Sequence, residues 1–326
     1  MLRRILLTVL TVIVALVAFM MINNANWFES RAPGKPELLA HRGVAQRYST
    51  EGLNAETCTA AQMLPSKHDF LENTIPSMEA SIAAGADIIE LDVHPTTDGQ
   101  FAVFHDWTID CRTEGKGVTR EQTMAYLKTL DLGYGYTADG GKTFPFRGRG
   151  VGMMPTLDEV MTRFPAQRML INVKSRDPEE GVRLAAYLQT LPKAQQDLLM
   201  VYGGAEPVVE VKKAMPELRT MSRKSMTNCL LTYIGIGWTG TMPETCRDSI
   251  VLVPLNFAPW AWGWPNKFLN RMEAAGSKVF VIGPWTGGEF TTGVDTIEEL
   301  RELPEGYSGG VWTNEIEVIG AAVKGP

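Results

Sequence analysis

The sequence predicts a (β/α)8 TIM barrel with an insertion after its second strand, preceded by one N-terminal transmembrane helix. Three observations lead there. From residue 37 onwards short apolar runs alternate with amphipathic segments, the pattern of parallel strands joined by crossover helices. With 326 residues and 44% apolar content, the chain can fill one large barrel, a fold that typically takes about 250 residues. Before that alternation begins lies an uninterrupted apolar run of bilayer length.

The first run reads "MLRRILLTVLTVIVALVAFMMINN". Arg3 and Arg4 precede an uncharged stretch from Ile5 to Ile22, long for a signal-peptide core and at the lower edge of a spanning helix. Ala15 and Ala18 lie inside the run and no clear small-x-small cleavage pattern follows it. We therefore read an uncleaved signal anchor, with a cleaved signal peptide as the alternative. The arginines keep residues 1–4 in the cytoplasm. The expected arrangement is single-pass in a bacterial inner membrane, with the span at 5–22 and a linker, "NNANWFESRAPGKP", at 23–36. A periplasmic barrel follows over 37–326.

Strands are expected at "ELLAH" (37–41), "DIIELDV" (87–93), "MLINVK" (169–174), "LLMVYG" (198–203), "LRTMS" (218–222), "IVLVP" (250–254), "KVFVIG" (278–283) and "GVWT" (310–313). Helix-like segments between them include "NTIPSMEASIAAG", "TLDEVMTRF", "EEGVRLAAYLQTL", "PVVEVKKAMPE" and "PNKFLNRMEAAG". A doubly wound open sheet alternates in the same way, but no GxGxxG turn follows the first strand. Two segments exceed ordinary connections: Val44 to about Leu71, and an insertion over about 94–155 that contains "LGYGYTADGGKTFPFRGRG". Both leave the C-terminal ends of strands, the face where barrel enzymes keep their chemistry.

A formal charge of −6 and the lack of a long basic run argue against a nucleic-acid partner. The four cysteines, Cys58, Cys111, Cys229 and Cys246, contain no CxxC pair, which disfavours zinc and fits an oxidising compartment. Of three possible pairings we favour Cys58–Cys111 with Cys229–Cys246, the second closing "CLLTYIGIGWTGTMPETC".

Ionisable residues collect at the predicted strand ends: His41 and Arg42 on the first, Glu90 and Asp92 on the second, Asn172 and Lys174 on the third, with His105 after the turn "TTDG". Glu90 and Asp92 fall on one side of their strand while Ile89, Leu91 and Val93 fall on the other. Two carboxylates side by side in an apolar strand repel and lose hydration, so a cation, a shared proton or a salt-bridge partner is expected between them.

This set resembles the glycerophosphodiester phosphodiesterase family. "AHRG" (40–43), "LENTIPSM" (71–78), "IELDV" (89–93), "TTDGQFAVFHD" (96–106), "PTLDEV" (155–160), "LINVK" (170–174) and "WTN" (312–314) follow the order of that family's motifs. The resemblance implies a barrel that hydrolyses phosphodiesters with one divalent cation, Mg²⁺ or Ca²⁺. Glu90 and Asp92 match its metal ligands, His41 and His105 its acid–base pair, and Arg42 and Lys174 its phosphate contacts. Glu72 matches a carboxylate that orients Arg42 or the metal shell; a charge facing a helix N-terminus is its bland alternative. The chemistry needs these groups: a phosphodiester anion repels nucleophiles, the leaving alkoxide needs a proton and the attacking hydroxyl must lose one. That hydroxyl is water or a neighbouring hydroxyl of the substrate's glycerol.

One position departs from the family pattern. Asn172 stands where Glu is usual, two residues before the lysine. An amide carbonyl can ligate a hard cation but adds no charge, so either Asn172 is expected as a weak ligand or another acid, such as Asp177 or Glu206, compensates for it. On the substrate side, Trp285, Trp312 and Tyr202 are candidates for the mouth wall, with Trp285 taken as a substrate contact. The tryptophans of "FAPWAWGWPNKF" (257–268) are candidates for the membrane interface or for a packed loop. Two alternatives stay open. One is a phospholipase D-like enzyme on membrane lipid head groups, and the other is a degenerate barrel that binds a phosphorylated ligand without turnover.

Overall fold

The computed structural model describes residues 1–28, 31–49, 52–53, 57–287 and 292–325. The strands are β1 (Glu37–His41), β2 (Ile88–Pro95), β3 (Phe101–Val103), β4 (Arg168–Val173), β5 (Leu199–Gly203), β6 (Arg219–Ser222), β7 (Ile250–Pro254), β8 (Lys278–Ile282) and β9 (Gly310–Thr313). All but β3 run parallel in the order β6-β5-β4-β2-β1-β9-β8-β7, and β3 folds back antiparallel on β2. The parallel bridge Thr220–Ser249 joins β6 to β7 and completes the circle. The eight parallel strands match the expected runs to within a residue or two at each end. The three-residue β3 was not foreseen.

The helices are α1 (Leu2–Asn24), α2 (Ile75–Ala83), α3 (Met124–Leu127), α4 (Leu157–Arg163), α5 (Pro178–Thr190), α6 (Lys193–Gln196), α7 (Ala205–Ala214), α8 (Arg223–Ile236), α9 (Asn266–Ala274), α10 (Ile297–Arg301) and α11 (Ile316–Lys324). The α8 helix was not expected, and Cys229 lies inside it rather than in a loop. Both favoured disulfides, Cys58–Cys111 and Cys229–Cys246, are formed. The α1 helix is long and apolar enough to cross a membrane. Residues beyond it lie along the barrel: the Arg31 guanidinium pairs with Glu273 at 2.7 Å, and the Gly34 N–H donates to the Gly306 carbonyl at 3.2 Å.

Strand parity sorts the interior. Ile89, Leu91, Val93, Met169, Ile171 and Val173 face outward against Leu184 and Leu188 of α5. Leu39, Ile88, Leu170, Met200, Ile250 and Phe280 face inward and form an apolar floor, each such side chain contributing about 1.5–3 kcal/mol by leaving water. Two residues further along β1, β2, β4 and β5 the inward positions turn polar: His41, Glu90, Asn172 and Tyr202. The parity that fills the core thus lifts a polar layer to the C-terminal mouth.

Candidate active site

Two backbone positions shape the mouth. Arg42 and Asn73 both adopt left-handed conformations, with φ of 62° and 57°, which costs on the order of 1 kcal/mol or more for a non-glycine residue. Backbone hydrogen bonds hold them there. The Arg42 N–H donates to the Glu90 carbonyl at 3.0 Å, and the Asn73 N–H donates to the Arg42 carbonyl at 3.0 Å. Thr74 then caps α2 by accepting from the Ser77 N–H, so Glu72 and Asn73 enter the site from a fixed turn.

Glu90 and Asp92 are fully buried. The Tyr202 hydroxyl donates to Glu90 Oε1 at 2.6 Å, and the Arg42 N–H lies 3.1 Å from Oε2. Asp92 Oδ1 accepts from Asn172 Nδ2 at 2.8 Å and lies 3.5 Å from Lys174 Nζ. Its Oδ2 accepts from Asn73 Nδ2 at 2.9 Å and lies 3.3 Å from Arg42 Nε. Arg42 also pairs with Glu72 at 3.0 Å. The other Glu72 oxygen lies 3.2 Å from Arg112, which donates to Asp106 at 2.9 Å, to Thr59 at 2.8 Å and to the Tyr136 hydroxyl.

Four carboxylates (Glu72, Glu90, Asp92 and Asp106) thus face three cations, Arg42, Lys174 and Arg112. Glu90 is the acid of this set that most readily keeps its proton: burial, then the neighbouring Asp92, pushes its carboxyl up to about 8. Burial alone would raise Asp92 too, but Lys174, His105 and Arg42 outweigh it and hold Asp92 well below the usual carboxylate range.

The two histidines share one design. His41 Nδ1 lies 2.6 Å from Asn314 Oδ1, and the Asn314 amide in turn donates to Asp295 at 2.7 Å. That amide therefore offers only its oxygen to His41, so the imidazole proton sits on Nδ1 and Nε2 keeps its lone pair. Nε2 accepts from Arg42 Nε at 3.1 Å and lies 3.7 Å from Glu90. His105 Nδ1 lies 2.7 Å from Asp106 Oδ1, which again leaves Nε2 as the bare nitrogen. The backbone of Phe104 donates to the Asp92 carbonyl at 3.0 Å, which carries His105 to the mouth. Burial and then Arg42 push His41 down to about 4; burial, Arg42 and Lys174 push His105 well below its ordinary value. Both side chains stay partly open to solvent, at 18% and 26%.

His41, Arg42, Glu72, Glu90, Asp92, His105, Asn172 and Lys174 therefore meet at one mouth. The structure adds Asn73, Tyr202, Asp106, Arg112, Asn314 and Asp295. Trp312 is buried against His41 and Tyr202, whereas Trp285 stands on the rim with its ring 5.8 Å from Phe257. Asn172 turns its amide nitrogen, not its carbonyl, to Asp92. Asp177 is taken up as the α5 cap and in a 2.7 Å pair with Arg120, and Glu206 lies in the first turn of α7; neither supplies a third acid to Glu90 and Asp92. Among the described residues no cluster of three or more His, Cys, Asp or Glu side chains forms a metal site. His68 is a loop fastener, its Nδ1 accepting from the Phe70 N–H at 3.2 Å. His94 is buried beside the His105 carbonyl.

The sequence pattern of the glycerophosphoryl diester phosphodiesterase family matches residues 41–214. A glycerophosphodiester phosphodiesterase of Caldanaerobacter subterraneus subsp. tengcongensis is 38% identical over 259 residues, covering 76% of this chain and 90% of that protein. Two solved structures share the barrel. One is a glycerophosphoryl diester phosphodiesterase domain from Mycobacterium tuberculosis, with a TM-score of 0.60 at 18% identity over 89% of this chain and 99% of that one. The other is an Oleispira antarctica phosphodiesterase in complex with the product sn-glycerol-3-phosphate, with a TM-score of 0.54 at 20% identity over 89% and 97%.

Proposed function

Because the chain belongs to the glycerophosphoryl diester phosphodiesterase family, we propose that it cleaves glycerophosphodiesters to glycerol phosphate and an alcohol, with His41 and His105 as the acid–base pair and one divalent cation. The observation that carries this reading is the matched state of the two imidazoles. Each is pinned through Nδ1, which leaves Nε2 as the proton-free nitrogen beside a buried carboxylate pair, with His41 Nε2 held by Arg42 Nε at 3.1 Å. One accepts the proton of the attacking hydroxyl at its bare Nε2; the other takes up a proton from solvent at its own Nε2 before the reaction and gives it to the leaving alkoxide. Arg42 and Lys174 supply fixed positive charge for the phosphate oxygens.

The donor set fits a hard cation. When ionised, the four carboxylates of the site outnumber the three cations they face, which leaves one negative charge for a bound cation to meet. Glu90 and Asp92 would hold Mg²⁺ or Ca²⁺, with the Asn172 carbonyl as a neutral third donor once its amide is turned over, an exchange that leaves the heavy-atom positions almost unchanged. When bound, the cation offsets negative charge on the phosphate oxygens in the transition state. With a dication, the four acids and three bases above sum to one positive charge, the complement of a phosphodiester monoanion.

The same reading holds the barrel outside a bacterial inner membrane by α1, with an oxidising compartment supported by both disulfides. The test is release of glycerol phosphate from a panel of glycerophosphodiesters by the purified protein, with and without a chelator. Activity is expected to fall by orders of magnitude in His41→Ala, His105→Ala and Asp92→Ala. Unchanged turnover in these variants would remove the mechanism.

A further inference from the structure

The C-terminal turn of α1 is locked into the barrel. Arg271 donates to the Asn23 carbonyl and to Asn24 Oδ1, each at 2.9 Å, placing a cation at the helix end where the macrodipole favours one. The Asn23 and Asn24 side-chain amides both donate to the Trp238 carbonyl at 2.9 Å, and Phe19 meets the Trp238 ring edge-on. Asn26 fastens the next turn by donating to the Trp264 carbonyl and accepting from the Lys267 N–H.

From that lock an apolar strip continues to the barrel mouth. On α8, Leu231 and Ile234 are 64% and 56% exposed. The loop from β7 to α9 lies against them: the Trp262 indole donates to the Ile234 carbonyl, and the Tyr233 hydroxyl to the Trp262 carbonyl, each at 2.8 Å. That loop presents Trp260, 79% exposed, one 3-10 turn from Phe257, which packs on Trp285 at the rim. The exposed side of α8 changes along its length: Arg223 and Lys224 stand at its mouth end, and Leu231, Ile234 and Ile236 at the end nearest α1. An exposed apolar strip of this kind marks a contact surface, and its tryptophans are the residues favoured at a lipid boundary.

We propose that this strip is a lipid-contacting face, covered by the head-group layer of the same bilayer that α1 crosses. The barrel lies side-on to the membrane along α8, with Trp260, Phe257 and Trp285 at head-group depth and the rim of the active-site mouth against the lipid surface. The occupant is the bilayer because the strip is continuous with the fixed end of the apolar α1 helix. The proposal rests on α1 being a retained span.

The test uses the full chain in vesicles of phosphatidylethanolamine and phosphatidylglycerol. Spin labels go on Leu231→Cys and Trp260→Cys, with Val209→Cys on exposed α7 as the control. Labels at 231 and 260 are expected to show a severalfold higher ratio of lipid-phase oxygen access to aqueous nickel-complex access than the label at 209. Equal ratios at all three positions overturn the lipid-contacting face. Extraction of the full chain by alkaline carbonate would overturn the span itself, so the two failures are distinct. Turnover of a soluble glycerophosphodiester reports that each labelled barrel is folded.

Discussion

Asp106→Asn is an isosteric change whose consequence follows from one neighbour. Arg112 donates through Nε to Asp106 Oδ2 at 2.9 Å, while His105 Nδ1 faces Oδ1 at 2.7 Å. Arginine has donors only, so the new amide must turn its oxygen to Arg112 and its NH2 to His105. His105 Nδ1 must then accept, and its proton moves to Nε2, the nitrogen needed as a lone pair. Forcing the productive tautomer back leaves a buried donor facing a donor, which costs about 1–3 kcal/mol. Losing the carboxylate beside a developing imidazolium removes a charge-assisted hydrogen bond worth a further 1.5–3 kcal/mol or so. Together these cost about 2.5–6 kcal/mol, or roughly 10²–10⁴-fold in kcat/KM. Stability should fall far less, because Arg112 keeps Glu72 at 3.2 Å. The assay is kcat/KM on a soluble glycerophosphodiester alongside ¹⁵N shifts of the His105 ring. A kcat/KM within a few-fold of the parent, or an unchanged His105 tautomer, would refute the reasoning.

Three further outcomes are expected. Asn172→Glu puts a third acid beside Asp92 and removes a 2.8 Å donor; the metal-free protein should melt lower, and divalent binding should tighten by about tenfold, or about 1.4 kcal/mol. Calorimetric titration checks this, and an unchanged affinity would remove Asn172 from the cation's surroundings. Tyr202→Phe strips Glu90 of its 2.6 Å donor and should cost about 1.5–3 kcal/mol in denaturant melts. Replacing Cys58 and Cys111 with Ser frees a loop with a sequence separation of 53 and should cost about 4 kcal/mol. The Cys229–Cys246 pair, with a separation of 17, should cost about 3 kcal/mol. Because Cys111 adjoins Arg112, only loss of the first pair should also lower activity.

What the sequence made legible was decided by range. The parallel strands announced themselves because a strand buried on both faces reads as a continuous apolar run, and Glu90 and Asp92 stood out against one. The α8 helix escaped because Leu231 and Ile234 lie exposed on the side where an amphipathic pattern needs polar residues. Its capping box pairs Ser222 with Ser225 instead of an acid. Asn73 and Asn314 sat inside recognised motifs, "LENT" and "WTN", yet their tasks depend on partners far along the chain, Asp92 and Asp295. Arg112 carried no local signal, although with His105 and Asp106 it makes the insertion part of the site. Glu72 is shared between Arg42 after β1 and Arg112 after β3, and Arg112 also fixes the carboxylate that sets the state of His105. The insertion is therefore more than a cover over the mouth: it supplies the charge that lets a barrel-strand arginine and an imidazole beyond β3 act at one centre. Shortening it while sparing His105 should disable the site as thoroughly as removing the imidazole.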